Sequence, residues 1–115
     1  MSGPTIEIGP YVVGEIPIPL EYTFLDSSGV PLNLNGFTVR FQRGEIDGGF
    51  VNATTVNGTL TDAINGKVTY TWTAADFPHP GRFGGMFFVG NGTNRYASWL
   101  ITWTTCASVD VPPSI

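Results

Sequence analysis

Apolar and polar residues alternate with a period of two along most of this chain, the pattern of half-buried β-strands. In "IPIPLEYTF", Ile16, Ile18, Leu20, Tyr22 and Phe24 fall on one face and Pro17, Pro19, Glu21 and Thr23 on the other. Proline has no N–H to give a ladder, so the start of this segment is expected at a sheet edge or ahead of the strand proper. "FTVRFQR" sets Phe37, Val39 and Phe41 against Arg40 and Gln42, and "FVNATTV" and "GTL" read as short strands around Asn57-Gly58. In "KVTYTW", Val68, Tyr70 and Trp72 share an inner face against Lys67, Thr69 and Thr71. The segment 83–89 is apolar on both faces, Phe83, Gly85, Phe87 and Val89 against Gly84, Met86 and Phe88. It is expected either at the centre of a sheet or covering a partner, with its glycines marking a bulge or a close backbone approach. "RYASWLITW" alternates Ala97, Trp99, Ile101 and Trp103 with Ser98, Leu100 and Thr102, which predicts the first four on one inward face.

Turn chemistry separates these strands. Asn-Gly, whose two residues both tolerate positive φ, occurs at 35, 57, 65 and 91. "DSSGVPLNLNG" reads as a loop and "GEIDGG" as a turn. Thr73 with Asp76 three positions on resembles a capping box with Asp in place of Glu. It predicts a short helical turn near 74–77, ended by Pro78, Pro80 and Gly81, that crosses from one sheet to another. Five to eight short strands with turns between them predict an all-β fold, an immunoglobulin-like β-sandwich of two antiparallel sheets spanning 16–103. The flanking segments 1–15 and 104–115 read as N-terminal and C-terminal arms that fold onto neighbours or fray.

Composition narrows the function. At 115 residues the chain has the size of one domain, but charged residues are 12%, where soluble domains average about 25%. A surface with so few charges is expected to be uncharged or partly covered. The net charge is −4, and the five basic residues, Arg40, Arg43, Lys67, Arg82 and Arg95, are spread along the chain. No basic patch forms, so no nucleic acid is expected as partner. No apolar run reaches the roughly 20 residues of a membrane helix, and no signal peptide is read at the start, so no membrane is expected and synthesis is placed in a cytoplasm. The triplets at Asn52, Asn57 and Asn91 that match a glycosylation pattern then read as turns.

Candidate chemistry is sparse. The lone Cys106 has no second cysteine to pair with and is expected as a small buried thiol. His79, the lone histidine, lies between two prolines in a loop with no nucleophile motif near it. Glu45 and Asp47 flank a turn in which Asp has a structural reason to be. A calcium loop starting at Asp26 fails because its twelfth position is Phe37 rather than Glu. These residues predict no enzyme, no cofactor and no metal, and leave recognition or assembly.

The runs "IPIPLEYTFLDSSGVPLNLNGFTVRFQ", "TDAINGKVTYTWTAADF" and "PGRFGGMFFV" resemble the amino-terminal immunoglobulin-like domain of phage baseplate upper proteins and related tailed-phage modules. The positions that carry the likeness are Asp26, Gly29, Pro31, Leu34 and Gly36, then Asp62, Gly66, Val68 and Tyr70, then Asp76, Pro80, Gly81 and Phe83. Trp72 stands where the pattern more usually has an aliphatic residue. The resemblance implies a non-enzymatic structural protein of a tailed-phage virion, docked as an accessory on the capsid, neck, or tail and baseplate, and made in the host cytoplasm. Its partners would be other virion proteins, with the chain in many symmetric copies or as a homo-oligomer. Interface residues are expected among Ile16, Pro17, Met86, Phe88, Val109, Val111 and Pro112. The alternative is a carbohydrate-binding module for cell-surface attachment, which requires a row of exposed aromatic rings.

Overall fold

A computed structural model describes residues 5–46 and 51–107. The strands, in chain order, are β1 (Thr5–Val12), β2 (Leu20–Thr23), β3 (Thr38–Glu45), β4 (Val51–Asn57), β5 (Thr59–Asp62), β6 (Lys67–Tyr70), β7 (Gly81–Gly90), β8 (Arg95–Ala97) and β9 (Leu100–Cys106). They form two layers, a six-stranded sheet ordered β1-β9-β7-β3-β4 with β8 also on β7, and a three-stranded sheet ordered β2-β6-β5. The protein is an all-β sandwich. The expectation of antiparallel sheets holds for every pairing but one, since β1 runs parallel to β9. Alternation of apolar residues has the same period in both directions and does not encode that choice.

Residues 5–12, expected as part of an arm, are therefore an edge strand, and β9 continues to Cys106, past the boundary expected at 103. The β1–β9 register shifts between Ile8 and Tyr11, across Pro10, which has no N–H to donate. In "IPIPLEYTF" only the second half pairs. Strand β2 begins at Leu20, and Ile16 and Ile18 are 67% and 86% exposed in the connection before it, where Pro17 and Pro19 break the run of donors.

Strand β7 is central, as its two-sided apolar pattern predicts, paired with β3 along Phe83–Gly90 and with β9 and β8 on its other side. Its inner residues Phe83, Phe87 and Val89 are buried, and between them Gly85 leaves room for the Phe41 ring. A Cβ at Gly85 would lie 2.4 Å from Phe41 Cζ, so the close approach expected of these glycines is real. The chain changes sheets four times, from β1 to β2, β2 to β3, β4 to β5 and β6 to β7, and the last two crossings are short. Strand β4 passes into β5 at Gly58, whose N–H donates to the Val39 carbonyl at 3.2 Å. Strand β6 passes to β7 through a 3-10 turn, Ala74–Asp76, where a helical turn is predicted.

The core between the layers is largely aromatic. Phe41 of the large sheet stacks on Tyr70 of the small one at 4.5 Å, and Trp72 meets Trp103 edge-on at 5.1 Å. Phe24, Leu34, Val39, Val68, Phe77, Phe83, Phe87, Val89 and Ile101 complete it. Full burial of such side chains stabilises by roughly 1.5–3 kcal/mol each, and ring pairs add about 0.5–1.5 kcal/mol through their edge and face charges. Trp72 fills the space an aliphatic residue would leave beside Trp103. The core closes at the end of the sandwich where Gly66, with φ +70°, lets the 63–66 turn lie against the backbone of Phe24 and Leu32. Cys106 is exposed, contrary to the expected buried thiol, because it is the last residue of β9 and lies beyond the packed layers.

Candidate docking surfaces

One end of the sandwich is built from the loop 24–34, the turn 63–66 and the segment 95–99. The Asp26 carboxylate accepts the N–H groups of Ser28 and Val30 at 2.8 and 3.0 Å, while the Asp26 N–H donates to the Val30 carbonyl at 2.8 Å. This closes the loop as an Asx turn. Leu34 N–H donates to the Ala63 carbonyl at 2.7 Å and Phe24 N–H to the Gly66 carbonyl at 2.9 Å, so the loop and the turn form one surface.

A bulge shapes the rest of this end. Gly85 opposes Ile101 and Phe88 opposes Ala97, so residues 98, 99 and 100 face only 86 and 87. Ser98 covers the irregularity. Its N–H donates to the Phe87 carbonyl, and its hydroxyl oxygen accepts the Phe87 N–H, both at 2.9 Å. The extra residue reverses the side-chain order, so Ser98 is buried and Trp99, expected inward with Ile101 and Trp103, turns out to 49% exposure. The Trp99 N–H meets the Tyr22 hydroxyl at 3.4 Å. Between β1 and β2 this leaves a groove of about 500 Å³, lined chiefly by Ile6, Tyr22, Thr23, Leu25, Asp26 and Trp99. Leu25, Val30, Ile64, Tyr96 and Trp99, five of the eight large apolar residues exposed among the described residues, belong to this end.

The opposite end carries a polar cluster centred on Asp76. Asp76 is buried and pairs with Arg43, while its carboxylate accepts the Tyr70 hydroxyl at 2.8 Å and the Thr73 N–H at 2.8 Å. The Asp side of the predicted capping box is thus made, and the same carboxylate ties β3, β6 and the 3-10 turn together. Burial raises the Tyr70 hydroxyl from 10.0 to about 12, and the hydrogen bond and charge of Asp76 add to the shift while Arg43 opposes it. His79 lies exposed in its loop, 3.4 Å from Glu45. Arg82 donates to Thr104 at 3.1 Å and approaches Glu7 at 3.4 Å. With its carboxylate enclosed and partnered, this cluster is a structural joint.

The residues expected at an interface are not brought together. Ile16 is exposed and Pro17 half-buried in the β1–β2 connection, whereas Met86 and Phe88 are half-buried on the outer face of β7. Val109, Val111 and Pro112 lie outside the described residues. Leu25, Val30, Ile64 and Trp99, exposed together at one end, are not singled out by the sequence pattern. Trp99 was hidden by the bulge, and the other three lie in turn segments where alternation carries no signal. Among the described residues no three His, Cys, Asp or Glu side chains converge as metal ligands, and no helix is long and apolar enough to cross a membrane.

Comparison with known families places the same elements together. The family described as the BppU N-terminal domain matches residues 25–101, from the Asx loop to the second residue of β9. No curated protein matches the chain. The positions that carry the resemblance have structural work in this fold: Asp26 closes the loop, Leu34 is fully buried beneath it, Gly66 admits two backbone oxygens, and Tyr70 and Asp76 form the joint. With two thirds of its length matched, the chain belongs to the BppU N-terminal domain family, the amino-terminal domain of baseplate upper proteins, and is a structural protein related to the phage baseplate.

Proposed function

We propose that this protein is a non-enzymatic subunit of the tailed-phage particle that docks on other virion proteins through the end bearing Leu25, Val30, Ile64 and Trp99. The observation that carries the reading is the gathering of these exposed apolar side chains on one end of a baseplate-family domain. Exposed apolar area of this kind, in a chain with few charges, has the character of an interface core rather than of a free surface. The family favours the tail and baseplate over the capsid or neck as the address. Ile16 and Ile18 at the far end supply a second apolar contact, suited to a subunit that repeats by symmetry and meets one neighbour at each end.

Immunogold electron microscopy of intact particles, with an antibody that recognises the native fold, tests this. Label at the tail tip supports the baseplate address. Label over the head or at one vertex moves the subunit to the capsid or neck, and the absence of label from every particle overturns the virion reading.

One observation favours a second function, carbohydrate binding, because Trp99 presents an exposed indole beside the polar groups of Thr23 and Asp26. Among the described residues no row of free rings accompanies it. Trp72 and Trp103 are buried, and Tyr96 is stacked on Phe37 at 6.0 Å. A glycan array discriminates the two: specific hits lost in Trp99→Ala support carbohydrate binding, and a blank array removes it.

A further inference from the structure

The chain carries four Asn-Gly pairs, at 35, 57, 65 and 91, that are chemically alike in sequence. Asn followed by Gly is prone to a spontaneous reaction because no Cβ shields the glycine nitrogen. That nitrogen attacks the Asn Cγ, the new N–C bond closes a succinimide ring, and the Cγ–Nδ2 bond breaks. The glycine amide proton leaves with the side-chain nitrogen as ammonia. Solvent water then opens the ring at either carbonyl, giving Asp or an isoaspartate whose main chain runs through the β-carbon. The reaction needs a glycine N–H that is not held and an Asn side chain free to swing onto it, and here the structure separates the four pairs.

Three of the four are restrained. Gly58 N–H donates to the Val39 carbonyl at 3.2 Å, and a Cβ placed on Gly58 would meet Val39 at 2.6 Å, so the backbone at Asn57-Gly58 is packed against β3. Gly66 N–H donates to the Ala63 carbonyl at 3.1 Å, and the Asn65 amide donates to the Asp62 carboxylate at 2.8 Å. The Asn91 side-chain oxygen accepts the N–H groups of Thr93 and Asn94 at 2.9 and 2.7 Å, which fixes the side chain even though Gly92 N–H is unengaged. Asn35-Gly36 has neither restraint. Both residues are exposed, nothing lies within 4 Å of a Cβ built on Gly36, and neither the Gly36 N–H nor the Asn35 side chain makes a hydrogen bond.

We infer that Asn35 is a site of covalent self-modification, the first Asn-Gly pair of the folded protein to convert to aspartate and isoaspartate. It lies in the turn that Phe37 N–H closes on the Leu34 carbonyl at 3.0 Å, directly before β3. Conversion changes the net charge from −4 to −5, one carboxylate being added, and the isoaspartate form lengthens that turn by one main-chain carbon. The new charge falls at the same end as Leu25 and Trp99, but the inference stands on the hydrogen bonds and holds whatever docks there.

The test is incubation of the full chain in warm, mildly alkaline buffer, with peptide mass spectrometry and fragmentation following the gain of about 1 Da at each Asn. A parallel sample unfolded in guanidinium chloride gives the rates without structure. In the unfolded chain the four pairs convert at comparable rates. In the folded chain Asn35 converts first, and Asn57 and Asn65 trail it by roughly tenfold or more, the factor set by opening their hydrogen bonds. Asn35→Gln removes the leading conversion and leaves the others in place. If Asn57, Asn65 or Asn91 converts as fast as Asn35 in the folded protein, or if folding leaves the unfolded order unchanged, the inference is overturned.

Discussion

The Asp76 carboxylate ties β3, β6 and the 3-10 turn together, so replacing it tests how the two sheets are held at this end. Asp76→Asn keeps shape and one acceptor oxygen but removes the charge and places a donor NH2 among groups that all donate, namely the Tyr70 hydroxyl, the Thr73 N–H and the Arg43 guanidinium. Hydrogen bonds to a charged acceptor contribute about 1.5–3 kcal/mol each, and breaking a buried pair by removing one partner costs about 3–5 kcal/mol. The Arg43 side chain is 22% exposed and recovers part of its hydration, which brings the expected loss to about 3 kcal/mol. A chain of 115 residues has a total stability of roughly 6–17 kcal/mol, so a large fraction of it would go, with a fall in Tm of about 10 °C. Urea unfolding followed by tryptophan fluorescence measures this, since Trp72 and Trp103 are buried in the core next to the joint. Arg43→Met, alone and combined with Asp76→Asn, completes a double-mutant cycle with an expected coupling of about 2 kcal/mol. A loss below about 1 kcal/mol for Asp76→Asn, or strictly additive effects in the cycle, would refute the assignment of a joint.

Other consequences are open to equally direct measurement. Because the Tyr70 hydroxyl is raised from 10.0 to about 12, the folded state holds this proton more tightly than the unfolded chain does. Its contribution, roughly 2–3 kcal/mol, is complete below pH 10 and is lost as the pH rises through about 12. Urea midpoints across that window should fall steeply in the native protein and less steeply in Tyr70→Phe; equal slopes would remove Tyr70 from the account. Gly66→Ala and Gly36→Ala both place a side chain at positive φ, +70° and +83°, but only at Gly66 does the new Cβ meet backbone oxygens, at 2.6 and 2.9 Å. Denaturant titration should give about 1 kcal/mol for Gly36→Ala and about 3 kcal/mol or more for Gly66→Ala, and equal losses would mean that the loop and turn are not packed as described. Trp99→Ala should change stability by less than about 1 kcal/mol while lowering co-sedimentation with particles that lack the native chain; full retention on the particle would move the docking surface elsewhere.

The strands were legible because burial on one face writes a period of two into the sequence wherever a strand is regular. Val39 and Phe41, Val68 and Tyr70, and Phe83, Phe87 and Val89 all follow it, and all are buried. The crossing at 74–77 was legible for a different reason, since Thr73 and Asp76 are local chemistry. Long-range features had no such mark. Nothing in "TIEIGPYV" indicates that Thr5–Val12 joins β9 in parallel, because the partner residues are 94 or 95 positions away and the alternation of Ile6 and Ile8 suits either direction. The burial of Asp76 was equally hidden. A capping role accounts for an acidic residue at that position whether or not an arginine from β3 covers it.

Alternation places Trp99 in the core, and the structure puts it at the surface of the apolar end. A period-two count carried through 97–103 assigns it to the core, and the count fails because one extra residue opposite Met86 and Phe87 shifts everything N-terminal to Leu100 by one. The shift costs little in this structure because Ser98 supplies both the N–H and the acceptor that Phe87 needs, a substitution open to a small hydroxyl side chain. Bulges occur where a strand must re-aim a side chain, and this one turns an indole from the core towards the groove that holds Leu25. Were Trp99 only a core residue displaced by accident, a regular strand would bury more apolar area and satisfy Phe87 through backbone alone. The irregular form forgoes that burial and keeps the indole at the surface, which supports an external role for this end of the sandwich.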